Sequence, residues 1–235
     1  MIAVAFTSIV TIAPALLALD DAQKPQSLPE PVESQDSEQW QPLKPLAEHP
    51  RTSVNVVEQL RRNHYIRKPV DDALSSEMFD KFLGMLDSNR SYFLASDIRS
   101  FEPLRFKLDD ALKGSDLKPA FYIFNRYQRR LLERLDYSLS ILEKGVDQFD
   151  FYIAESLQID REDAEWPADR QAQDNLWRQR LKAQILSLRL NDKEDAEISE
   201  ILTKRLRNRI KMAKRNKSED AFQLYMNAFA STFDP

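Results

Sequence analysis

The chain has no cysteine, only three glycines and only two histidines among its 235 residues. The first absence excludes disulfides, thiolate nucleophiles and Cys-ligated zinc. The scarcity of glycine (Gly84, Gly114 and Gly145) leaves no Gly-rich loop to cradle a phosphate and argues against a turn-rich sheet protein. Neither His49 nor His64 belongs to an H-E-x-x-H zinc motif, and the G-x-S-x-G nucleophile turn is missing. Adjacent acids occur at Asp71-Asp72, Asp109-Asp110 and Glu219-Asp220. On a helix such neighbours point about 100° apart and do not converge on one substrate atom. The residues therefore nominate no catalytic set, no metal ligands and no cofactor.

What is present suits a globular protein with a sizeable core: 42% hydrophobic and 31% charged residues. The formal net charge of −4 is uneven. Residues 1–50 hold seven acids and two bases, while the remainder has one more base than acids. A balanced body does not call for nucleic acid or an anionic membrane.

Residues 1–19, MIAVAFTSIVTIAPALLAL, carry no charge. They are read as a secretory signal peptide. The rivals are a retained inner-membrane anchor, since at ~1.5 Å per residue the run spans about 28 Å, and a buried core helix. Residues 20–50 hold six of the twelve prolines, mostly acidic charge and no apolar period. They are expected to be a flexible linker, because such a stretch cannot bury enough surface to offset its ordering entropy. Trp40 and Leu43 are the two side chains there that suit docking on the body.

From residue 51 apolar residues recur every three or four positions, and no strand-like alternation persists. The fold class expected is all-α, an irregular multi-helix domain over 51–235 with one long central helix. Thr52 or Ser53 caps a first helix through Tyr65, Asp71 or Asp72 starts a second, and Ser96 caps a third that runs to Gly114. Phe121, Phe124, Tyr127, Leu131, Leu135, Leu139 and Leu142 mark the long helix, closed by Gly145. Residues 146–167 show no period. Further helices are expected over 170–190 and 193–215, and a last one is capped at Ser218.

One charge feature stands out. Lys204 to Lys217 contains eight bases and no acid. Lys204, Arg205, Arg207, Lys211 and Lys214 are the candidate partner-contact residues. Three readings stay open for them: a solvated helix face, a protein or interdomain contact, and a nucleic-acid stripe. Export makes the last the weakest.

The ordered series His64-Tyr65, Phe79-Asp80-x-Phe82-Leu83, Leu86-Asp87, Arg90-x-Tyr92-Phe93-Leu94-x-Ser96-Asp97-Ile98, Phe121-Tyr122, Trp166-Pro167, Ser218-Glu219-Asp220, Ala228-Phe229-Ala230 and Phe233-Asp234-Pro235 resembles the opening of the tail-specific, or carboxy-terminal processing, serine proteases. In that family a helical N-terminal region precedes a PDZ module and a protease domain with a Ser/Lys pair. No position of these 235 residues corresponds to that pair, so no catalytic residue is carried over. The resemblance implies a periplasmic, non-catalytic region that supports the protease vault. Its expected partners are protein substrates with apolar C-terminal tails, a helical-repeat adaptor lipoprotein, and the PDZ and protease domains. A stand-alone periplasmic binding module, docking a partner between helices, is the alternative.

Overall fold

The computed structural model describes residues 40–234. The proposed export segment and most of the proposed linker lie outside the described residues. Eight α-helices follow in order: α1 His49–Asn63, α2 Asp72–Leu86, α3 Ala95–Phe101, α4 Leu108–Lys113, α5 Lys118–Leu142, α6 Arg170–Arg189, α7 Asp195–Lys214 and α8 Ser218–Ala230. No strand occurs among the described residues, so the all-α expectation holds for them.

The longest helix, α5, is the spine. Its first half packs with α8, and α6 and α7 also lie along it. The interior forms two clusters. The first joins α1, α2, α4, the start of α5 and α8 around Phe79, Phe82, Phe93, Phe101, Tyr225 and Phe229, all fully buried. Each such side chain contributes about 1.5–3 kcal/mol by leaving water. The second joins the end of α5, α6 and α7 around Leu135, Ile185, Ile198 and Leu202.

Helix ends differ from the sequence expectation in instructive ways. The first helix begins at His49, not at Thr52 or Ser53, because Pro50 suits the first turn, where no N–H bond is needed. It ends at Asn63 with His64 as its C-cap. Asp71 caps α2 as expected, its carboxylate accepting from Leu74 N at 3.1 Å. The helix expected to run unbroken to Gly114 is split. Pro103 has no N–H to donate, and the chain passes through a 3-10 turn at Glu102–Leu104 before α4. At the start of α3 the capping group is Asp97, which accepts from Leu94 N at 3.0 Å, rather than Ser96. The last helix is likewise capped from inside, by Asp220 accepting from Lys217 N at 2.6 Å.

The expected linker boundary at residue 50 also shifts. Trp40 onward belongs to the same compact unit as the helices. Leu43 packs on the first core and exchanges two hydrogen bonds with Asn125, Leu43 N donating to Oδ1 at 2.8 Å and Nδ2 donating to Leu43 O at 2.9 Å. Trp40 lies under the Arg129 guanidinium, 5.1 Å away. His49 is no linker residue: it is 1% exposed. Its ring stacks on Phe222 at 4.2 Å. Nδ1 accepts from Leu46 N at 3.2 Å, which makes Nε2 the donor to Glu219 Oε2 at 2.8 Å. These contacts offset the ordering entropy that composition alone argued could not be met.

Candidate functional site

The basic run lies on α7, and helical geometry divides it. Ile198, Leu202, Leu206 and Ala213 face the core. Lys204, Arg207, Lys211 and Lys214 recur at three- and four-residue spacing and share one flank, while Arg205 and Arg209 share another. The five candidate residues, Lys204, Arg205, Arg207, Lys211 and Lys214, are all exposed. None forms an ion pair among the described residues. Asp136 lies within reach of this flank: partial desolvation raises its pKa and the Lys214 charge partly opposes that rise.

This surface is held in place by α5. Arg134, 1% exposed, pairs with Asp174 of α6 and lies 4.9 Å from the Tyr137 ring. Tyr137 donates to the Asp174 carbonyl at 3.2 Å. Gln128 donates to Ala213 O at 2.9 Å and ties the end of α7 to the same spine.

Between α2 and α3 runs a segment with no regular structure, yet Ser91, Phe93 and Leu94 are buried. Its backbone must find partners, since an orphaned buried amide is costly. The Asp87 carboxylate accepts from Ser91 N at 2.8 Å and from Tyr92 N and Phe93 N at 3.0 Å each, with Trp166 Nε1 at 3.3 Å. From the other side α6 reaches the carbonyls. Trp177 Nε1 donates to Ser91 O at 3.0 Å and Gln173 Nε2 to Tyr92 O at 2.5 Å. Arg90, at φ 43°, holds a left-handed turn. Its guanidinium sits 4.6 Å over Trp166 and donates to Ala164 O at 2.9 Å. Downstream, Asp97 receives a two-pronged bond from Arg130 at 2.8 and 3.0 Å. The aromatic and acidic motif in this stretch thus builds and locks a joint between the two cores.

Beside that joint opens a polar pocket of about 300 Å³, with Tyr92, Trp177, Arg180, Gln184 and Arg209 on its wall. Arg209 donates to the Tyr92 hydroxyl at 2.7 Å. Of these, Arg209 belonged to the basic run and Tyr92 to the ordered aromatic series, both visible in sequence. Arg180 and Tyr92 come from distant segments that no spacing rule connects.

Among the described residues no group of three or more His, Asp or Glu is placed to hold a metal ion. No helix there is long and apolar enough to cross a membrane.

Fold and surface together define, among the described residues, an all-helical domain with an unpaired basic flank and a buttressed interhelical joint. The family described as "Tail specific protease N-terminal domain" matches residues 56–235. The chain belongs to that family. It is 37% identical over 178 residues to the "Tail-specific protease" of Haemophilus influenzae (strain ATCC 51907 / DSM 11121 / KW20 / Rd), covering 75% of this chain. The match takes in 25% of that relative's length, so the chain corresponds to about a quarter of it.

Proposed function

We propose that this domain is the non-catalytic helical part of a periplasmic tail-specific serine protease. Its role is to support the protease vault and to present a basic surface to a substrate, an adaptor or the catalytic body. The substrates of this reading are proteins with apolar C-terminal tails. The observation that carries it is the flank formed by Lys204, Arg207, Lys211 and Lys214, exposed and unpaired among the described residues. Like charges at three- and four-residue spacing cost a helix a few tenths of a kcal/mol per pair, ~0.2–0.5. Only the last turn, with Lys211 and Lys214, regains some of that from the helix dipole. The fold's own stability therefore does not require this flank, and a partner with complementary charge accounts for it.

The test is charge reversal of Lys204, Arg207, Lys211 and Lys214 to glutamate in the full-length protease. Cleavage of a reporter with an apolar C-terminal tail is then compared in the presence and absence of the adaptor. The expected result is slower cleavage or lost adaptor stimulation with the helical circular dichroism unchanged. Unaltered cleavage under both conditions would sink the role of this surface. A purified 235-residue chain that degraded the reporter by itself would sink the non-catalytic reading.

A further inference from the structure

The pocket beside the joint is lined by two arginines, Arg180 and Arg209, and a single carboxylate, Asp87, that pairs directly with neither. Arg180 of α6 is half-buried. It makes no ion pair and no side-chain hydrogen bond among the described residues, and its guanidinium lies 5.5 Å from the Trp177 ring. Burial pushes its pKa below the usual value; the nearby Arg161 and Arg209 charges push the same way, while Tyr92 and Asp87 oppose them. Asp87 is the one carboxylate on the pocket wall. Its oxygens are engaged by three backbone amides and Trp166, so it makes no direct salt bridge with the arginines, although its charge acts on Arg180.

The remaining donors point to what would fit. Arg209 donates to the Tyr92 hydroxyl, which leaves the hydroxyl hydrogen free for an acceptor. Asn89 and Gln184 add amides at the rim. A guanidinium fork matches the planar, two-oxygen face of a carboxylate, and the half-buried Arg180 gains most from such a partner. A dianionic phosphate fits less well, since the fixed charge of Asp87 shares the wall.

We propose that the pocket formed by Tyr92, Arg180, Gln184 and Arg209 is a binding site for a carboxylate, the side chain of an aspartate or glutamate on a docking polypeptide. Helical geometry sets Arg209 on a different flank of α7 from Lys204, Arg207, Lys211 and Lys214. The site is therefore separate from the surface proposed above and does not depend on the protease reading.

The probe is a four-residue peptide with two glutamates, acetylated and amidated so that its only charges are the side chains. Its glutamine counterpart and inorganic phosphate are the comparators. Binding to the full chain is followed by calorimetry and by tryptophan fluorescence, Trp177 being part of the wall. The glutamate peptide is expected to bind saturably, the glutamine peptide not at all. Arg180→Gln should weaken binding ten-fold or more. Since Arg180 makes no side-chain hydrogen bond or ion pair in the fold and only a long contact with the Trp177 ring, that variant should unfold close to the temperature of the parent. Gln184→Glu, which supplies a carboxylate from within, should abolish peptide binding without loss of stability. Equal binding of the two peptides, full affinity in either variant, or tighter binding of phosphate than of the glutamate peptide would each overturn the assignment.

Discussion

The two hydrophobic cores on the α5 spine are built differently. The first contains twenty-three buried residues, nine of them phenylalanine; the second contains ten, with Phe149 its one aromatic. The segments around the larger core expose Leu46, Tyr65, Ile66, Met85, Phe106 and Tyr122. Those around the smaller one expose Tyr152, Ile153, Ile159, Leu186, Leu190 and Met212. Six exposed apolar side chains against ten buried is a far larger fraction than six against twenty-three. The α1–α2–α8 end is thus a stability element. The α6–α7 end is thinly built, carries the unpaired basic flank, and has more of its apolar surface available to a partner.

That contrast is broken or sharpened first by truncation in each core. Phe229 is fully buried against Phe233, and Phe229→Ala should cost about 3–5 kcal/mol. Leu202, 1% exposed in the smaller core, should cost nearer 2–3 kcal/mol as alanine, because a three-helix edge collapses more readily onto the gap. Urea unfolding of both variants measures this. Equal losses would mean that the two clusters act as one core.

Much of this architecture is legible in the residues. The run from Phe121 to Leu142 and the helices of the C-terminal half follow from period, Asp71 is one of the two helix starts the sequence allows, and α5 is found within a few residues of expectation. What escaped was set by tertiary contact. Leu43 is visible as a docking side chain, but His49 sits in a proline-rich, acidic stretch, and its bond to Glu219 and its stacking on Phe222 have no sequence signal. The break at Pro103 was readable from proline chemistry but overridden by the apolar period around it. The basic run was visible, and its candidate residues are exposed, which a contact surface and a solvated helix face share. The pocket proposed for a carboxylate was not, since Tyr92, Arg180, Gln184 and Arg209 are brought together by folding alone.

A smaller effect tests how firmly the thin end is hinged. Gly145 follows α5 at φ 100° and ψ 152°, a conformation close to glycine-only. A Cβ there would also run into the Asp147 carboxylate. Gly145→Ala should cost about 1–3 kcal/mol and lower the unfolding temperature. Hydrogen exchange should rise mainly in α6 and α7. Faster exchange spread evenly into α2 and α8 would contradict the separation of the two ends.

The smallest effect concerns the loop that closes the second core. Glu155 bonds with Arg178 and, at 2.6 Å, with Lys182. The Arg178 bond first and the Lys182 bond second hold its carboxyl below the ordinary 4.5, at about 2. A depressed pKa means that the pairing contributes fully above pH 4.5 and is lost as the pH falls through about 2. A carbon-13 titration of the Glu155 carboxyl should therefore give a midpoint well below that of a free glutamate. The loop should remain seated on α6 at pH 4 and loosen only in stronger acid. The Arg178→Gln variant should move the midpoint back toward 4.5 and loosen the loop earlier, while the phenylalanine core is unaffected. A midpoint near 4.5 in the parent would show that the loop is not pinned by this triad, and that the thin end is held by Phe149 and Phe151 packing alone.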